Sequence, residues 1–257
     1  MKLPGSVTLI PLALPGEVAS GDDLSEELSR AIKNQGLALQ PGDILVVKHK
    51  IVSKAEGQLV DLSKVKPSNA AKRWSRESGS DARVIEVALR ESRSVVRKRV
   101  IGGRGVLITE TCDGMICANS GVDLSNVNGG AHALLLPKDA DKSAARLRSA
   151  IKRRTGVTVA VIISDSFGRA WREGLTEVAI GVAGMKPMLD FRGKRDPHGY
   201  VLRASAEAVA DELACAAGLI CGKLNGVPAC IVRGFRYEPG RGSARDLIRA
   251  RKNDLFR

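Results

Sequence analysis

Aromatic residues make up only 3% of this chain. Single-stranded nucleic acid is held largely by stacking bases on aromatic rings, so their scarcity weighs against that use of a basic protein. The five cysteines (Cys112, Cys117, Cys215, Cys221 and Cys230) form no CxxC pair and no zinc spacing. An odd count without a framework predicts reduced, mostly buried thiols in a cytoplasmic protein. No apolar run reaches membrane-spanning length. The run from Val7 to Leu14 follows Lys2, but Pro11 breaks it and Glu17 crowds the cleavage-like Ala19-Ser20, so it reads as a first strand rather than a leader. No GxxxxGK[ST] motif occurs, which excludes a Walker phosphate loop, and there is no internal repeat, low-complexity tract or clear linker.

What is present is charge and buried-strand pattern. With 41 basic and 28 acidic residues among 257, the formal charge is 41 − 28 = +13. Such an excess favours anionic partners: nucleotides, polyphosphates, nucleic acid or acidic small molecules. Short apolar runs without alternation, Ile44 to Val47 and Val157 to Ile163, predict strands buried on both faces. Helices are expected after the caps Asp23 and Asp81, over Asn69 to Ser78, Lys142 to Arg154 and Ala204 to Leu219, and in the basic C-terminal segment. Val95 to Ile101 and Val106 to Thr111 predict a hairpin, and Met115 to Ala118, Thr176 to Val182 and Val227 to Val232 further strands. The fold class is therefore α/β, with mixed strands and helices.

Two polar segments follow buried strands. Ser164-Asp165-Ser166 ends the strand at Ile163, and Asn119 to Val127, with Asp123 and Asn126, follows Ala118. A carboxylate flanked by hydroxyls suits a hard cation. An aspartate there also serves as a plain cap or turn residue, and that reading stays open. Arg169 and Arg172 bring guanidiniums suited to phosphate. The run Lys48 to Gly57 is either a solvated basic loop or a phosphate-facing cluster; Ile51 and Val52 within it argue that Lys54 is anchored.

Taken in order, Gly42 to Val47, Ile51-Val52-Ser53-Lys54-Ala55-Glu56-Gly57, Asn119 to Val127, Ile162 to Gly174, and Gly226 to Gly234 resemble the coenzyme F420-0:γ-glutamyl ligase family, over about Leu14 to Gly234. The resemblance implies a GTP-dependent ligase that adds L-glutamate to F420-0 through an acyl phosphate. It implies magnesium or manganese, with potassium as a possible further ion, and a cytoplasmic enzyme acting without nucleic acid or membrane. It also implies a fold of two interleaved mixed-sheet lobes flanked by helices in an intertwined homodimer. The whole of 1–257 would be one stand-alone domain, without the C-terminal nitroreductase-like domain of some relatives. By position, Asp123, Asp165 and Ser166 would be metal ligands. Leu14, Pro15, Gly16, Glu17, His49, Lys50, Lys54 and Asn126 would contact the nucleotide. Lys54, Arg169 and Arg172 would carry catalysis. Lys223 departs from the acid that some relatives place in its loop, leaving it either outside a second metal site or against phosphate. A sister ligase with another acceptor and a non-enzymatic polyanion or RNA binder remain the competing classes.

Overall fold

A computed structural model describes residues 5–125 and 127–256, so the expected nucleotide contact Asn126 lies outside the described residues. The chain begins with β1 (Thr8–Leu12), α1 (Leu24–Asn34), β2 (Ile44–Lys48), α2 (His49–Ala55) and β3 (Leu59–Asp61). It continues through α3 (Asn69–Ser78), α4 (Ala82–Arg90), β4 (Ser92–Ile101), β5 (Arg104–Thr111), β6 (Ile116–Ala118) and β7 (His132–Leu134). After α5 (Ala140–Thr155) come β8 (Ala160–Arg169), β9 (Arg172–Ala183), β10 (Leu189–Asp190), β11 (Ala206–Glu207), α6 (Val209–Cys221) and β12 (Ala229–Arg233).

The main sheet has the order β1-β12-β2-β8-β9, with β2 and β8 parallel and the other neighbours antiparallel. Its central strands are apolar on every residue over Ile44 to Val47, Ala160 to Ile163 and Ala229 to Val232, because both faces are covered there. Leu45, Val47, Val161, Ile163 and Ile231 pack under α1 and α5, while Ile44, Val46, Ala160, Ile162 and Val232 pack against α6. Ala160 to Ile163 have no exposed surface, and each fully buried Val or Ile is worth about 1.5–3 kcal/mol of transfer free energy. Asp43, itself buried, receives both arms of Arg233 at 2.9 and 2.8 Å and ties the start of β2 to the end of β12. A second region joins the sheet β4-β5-β6 and the pair β3-β7 to α3 and α4, around Trp74, Ile85, Leu107 and Ala133. The mixed α/β class is thus borne out.

Several elements differ from expectation. Ser164, Asp165 and Ser166 do not end a strand: β8 runs on to Arg169 because β9 pairs with it along its length. One extra residue on β9 between Gly181 and Ala179 marks a bulge where the ribbon leaves the core. The segment after β2 turns at once into helix α2, with Val52 and Ser53 buried. Asp23 caps α1 as expected, and Glu26 in its first turn pairs with Arg30 and Arg154. The basic C-terminal segment forms 3-10 turns at Ala244–Leu247 and Arg251–Asn253 instead of an α-helix. Asp141 accepts from Ser243 Oγ and the Ala244 amide, pinning that first turn, and the Arg/Lys-rich sequence has little i,i+4 support for a helix. Residues Ala206 and Glu207 pair with Leu189 and Asp190 rather than extending α6. None of the described helices is long and apolar enough to cross a membrane.

Candidate active site

Where β2 ends, Lys48 lies opposite Ser164 of its parallel neighbour β8, and a cleft of about 240 Å³ opens there. This is where ligands of open α/β sheets usually bind. Its walls come from far-apart stretches: the loop after β1 with Leu14, Gly16 and Glu17; the β2–α2 junction; the β8–β9 ribbon; and the loop after α6 with Lys223. The expected nucleotide residues Leu14, Gly16, Glu17, His49, Lys50 and Lys54 are therefore brought together, with Asp165 and Ser166 facing the same space. Pro15 lies between two of the lining residues, outside the lining itself.

The centre of the cleft holds a carboxylate that the sequence did not single out. Glu177, opposite Ser166 across the ribbon, is 7% exposed. Its Oε1 receives Lys48 Nζ at 2.6 Å and Ser166 Oγ at 2.6 Å, and its Oε2 receives Ser164 Oγ at 3.0 Å. Burial pushes this carboxyl up, but the bonds from Lys48 and Ser166 outweigh it and hold the group below the usual glutamate range. Lys223 Nζ donates to Ser166 Oγ and lies 4.0 Å from Glu177. Two ammonium groups thus meet one carboxylate, leaving the spot net positive. The sequence signal for Glu177 was a lone acid near the start of the expected strand Thr176 to Val182, which burial tolerates only with partners.

Asp165 is placed by a buried histidine. His49 Nε2 lies 3.2 Å from Asp165 Oδ1, His49 Nδ1 lies 3.3 Å from Ser53 Oγ, and the Ser166 amide donates to the same Asp165 oxygen at 2.7 Å. Asp165 Oδ2 has no hydrogen bond among the described residues. The charge of Asp165 also reaches β6: burial, with Asp165 adding to it, pushes the Cys117 thiol up to about 12. Lys54, 14% exposed, reaches Glu17 at 3.2 Å.

Asp123 stands on the neighbouring edge, outside the cleft lining, and is joined to it by Lys50, whose Nζ is 2.7 Å from Asp123 Oδ2 and 2.6 Å from Ser125 Oγ. Burial raises the Asp123 carboxyl, while Lys50 and the Ser125 amide more than reverse that and leave it below the usual aspartate range. Successive residues at the start of α2, His49 and Lys50, therefore reach the two aspartates separately. Among the described residues no group of three His, Cys, Asp or Glu side chains is arranged to hold a metal ion. The donors present are all hard oxygens, and magnesium commonly takes one or two carboxylates and completes its shell with phosphate and water, so Asp165 with Ser166 fits such an ion. Arg169 and Arg172 are not brought to the cleft: they flank the exposed tip of the β8–β9 ribbon, where Arg169 donates to the Glu173 carbonyl.

Comparison with known proteins gives a consistent result. Residues 14–234 match the model of the family described as F420-0:Gamma-glutamyl ligase. The chain is 42% identical over 252 residues to the coenzyme F420:L-glutamate ligase of Methanopyrus kandleri, covering 96% of both chains. It is 42% identical to the protein of that name from Methanothermobacter thermautotrophicus, covering 93% of this chain and 94% of the other. With the one from Methanocaldococcus jannaschii the identity is 41%, over 85% and 86% of the two chains.

Proposed function

The chain belongs to the F420-0:gamma-glutamyl ligase family and is a ligase, and from that premise we propose that it joins L-glutamate to coenzyme F420-0 at the expense of GTP. The observation that carries the reading is the cleft itself, which Lys48, Lys54 and Lys223 line together with a carboxylate, Asp165, that keeps one oxygen uncommitted among the described residues. A site for triphosphate needs both features: ammonium groups to neutralise phosphate and a hard anion to share a divalent ion with it.

A free carboxylate does not react with an amine in water until it is activated. In the first step a carboxylate oxygen of F420-0 attacks the γ-phosphorus of GTP, the bond to the β-phosphate oxygen breaks, and GDP leaves. In the second, the glutamate amine attacks the acyl phosphate carbon; the amide bond forms, the C–O bond to phosphate breaks, and the amine gives up a proton. A second glutamate joins through the γ-carboxylate of the first. Lys54 and Lys48 offset the charge spread over the phosphate oxygens during transfer, and Lys223 leaves Ser166 to do the same. The loop Leu14 to Glu17, with His49, Lys50 and Asn126, grips the nucleotide. His49 holds Asp165 at the angle that offers its free oxygen to the cleft. Asp165 and Ser166, joined by Asp123 from the next edge, would hold magnesium or manganese, which when bound supplies phosphate charge neutralisation. Arg169 and Arg172 serve incoming carboxylates from the ribbon tip, and the enzyme works as an intertwined homodimer in the cytoplasm.

Asp165→Asn keeps the side chain's shape and its hydrogen bond from Ser166 while removing the charge. Purified variant given F420-0, glutamate, GTP and magnesium is expected to yield no glutamylated product by mass spectrometry, with circular dichroism unchanged. Full activity in that variant overturns the assignment.

A further inference from the structure

Among the described residues, a larger open space than the cleft lies beside it. A cavity of about 500 Å³ is bounded by the β8–β9 ribbon, the sheet β4-β5-β6, the start of α6 and the C-terminal turns. That volume falls within the range of about 300–1,000 Å³ in which small molecules are bound. Its lining is mainly apolar, from Ile108, Ile116, Phe167, Val178 and Ile248.

Three observations say what it takes. The first is position. Val178 is the direct cross-strand neighbour of Asp165, and Phe167 is two residues further along the same face of β8. Directly paired residues have Cβ atoms about 4.5–5.5 Å apart, so the cavity begins one side chain away from the carboxylate in the nucleotide cleft. The second is aromatic content. The chain has four phenylalanines, and two of them, Phe167 and Phe256, line this one cavity, with Trp171 against Phe256 at 5.9 Å between ring centroids. The third is charge. Arg97 and Arg249 stand on the lining with no ion pair among the described residues, whereas Arg245 of the same C-terminal segment is paired with Asp113 at 2.6 Å. The two acids of the cavity are engaged: Asp211 accepts from the Ala179 amide at 2.8 Å and Asp254 from the Phe256 amide at 2.9 Å.

We propose that this cavity is the acceptor subsite of the ligase, taking a carboxylic acid that carries a planar apolar ring system and an anionic linker. The ring lies against Phe167 and Phe256, the linker's charge meets Arg97 and Arg249, and the carboxylate passes Val178 to reach the phosphate beside Asp165. This rests on the ligase function proposed above.

The test pairs equilibrium dialysis with initial rates, using F420-0 as probe and three variants of the full chain. Arg97→Ala combined with Arg249→Ala removes two exposed charges, Val96→Trp fills the cavity without touching them, and Lys54→Ala disables the nucleotide side. The first two are expected to weaken F420-0 binding and raise its KM at least tenfold, with the KM for GTP and kcat within twofold of wild type. Lys54→Ala is expected to leave F420-0 binding unchanged. Should Val96→Trp fail to fold, the arginine pair carries the test alone. An active enzyme whose F420-0 binding and KM ignore the arginine pair overturns the subsite and leaves the ligase reading standing. Arginine-dependent F420-0 binding without any glutamylation overturns the reading and keeps the subsite. No binding to the wild type overturns both.

Discussion

Two carboxylates on the β9 side of the molecule sit in opposite electrostatic situations, and the difference is measurable. Asp211 is half-buried with a single amide as its partner among the described residues, so burial raises its carboxyl above the usual 3.8. A group that binds its proton more tightly when folded than unfolded makes stability fall as pH rises through that value, and the loss persists at neutral pH. Asn at this position can still accept from the Ala179 amide. Asp211→Asn is therefore expected to melt at the same or a higher temperature than wild type at pH 7, with the gain vanishing towards pH 4. Lower stability at both values in calorimetry would refute this account. Glu177 is the reverse case. Its carboxyl lies below the usual 4.5 in the folded protein, so its contribution is complete above that value and is lost as pH falls beneath it. Glu177→Gln leaves Lys48, 17% exposed, without a counter-charge. Breaking a buried pair from one side costs about 3–5 kcal/mol, and this one belongs at the lower end because Lys48 keeps some water. Chemical denaturation at pH 7 should show that loss, and an undiminished midpoint would show that Lys48 does not depend on Glu177.

At the scale of elements, the site depends on how closely α6 approaches the ribbon. Gly218 faces Glu177, and a Cβ built there lies 2.6 Å from Glu177 Cγ. Cys215, one turn earlier, donates its thiol to the Glu177 carbonyl at 3.0 Å. Gly218→Ala must push either the helix or the glutamate aside. Over-packing of this kind costs about 1–3 kcal/mol, and because Glu177 anchors Lys48 and Ser166, the KM for GTP should rise with it. A variant that loses stability while keeping its KM for GTP would place the clash away from the site. The same elements explain what could be read in advance. Ile44 to Val47 and, within the expected Val157 to Ile163, the stretch Ala160 to Ile163 announced themselves, because a strand covered on both faces needs apolar residues at every position. Asp165, Ser166 and Lys54 were legible as types of group that follow buried apolar runs, though Asp165 and Ser166 lie within β8 and Lys54 within α2. Glu177 was not, since a lone acid in a strand says nothing until pairing with β8 brings it opposite Ser166. Helix α2 was hidden by its lysines, which look like a solvated loop until Val52 and Ser53 are seen buried. The open cavity beside Val178 was invisible for the same reason: it is made by β4, β6, β9 and the C-terminal turns, which only the tertiary fold assembles.

Across the whole molecule the charge is +13, and in the cleft Lys48, Lys50, Lys54 and Lys223 stand against Glu17, Asp165 and Glu177. A positive surface around a slightly positive cleft speeds the arrival of a polyanion from a distance, and salt removes that help as the screening length shrinks from about 30 Å at 0.01 M to about 8 Å at 0.15 M. The effect belongs to encounter rather than to chemistry, since half-buried charges such as Lys48 and Lys54 are screened far less. Stopped-flow binding of a fluorescent GTP analogue is thus expected to show an association rate that falls severalfold across that salt range. Dissociation should change less, and kcat at saturating GTP should stay nearly constant. The competing view, that the charge exists to hold polymeric anions, predicts the opposite division: salt-sensitive RNA binding that ignores GTP and magnesium. An association rate indifferent to salt would mean that the excess charge is turned away from the cleft and that the local lysines alone recruit the nucleotide.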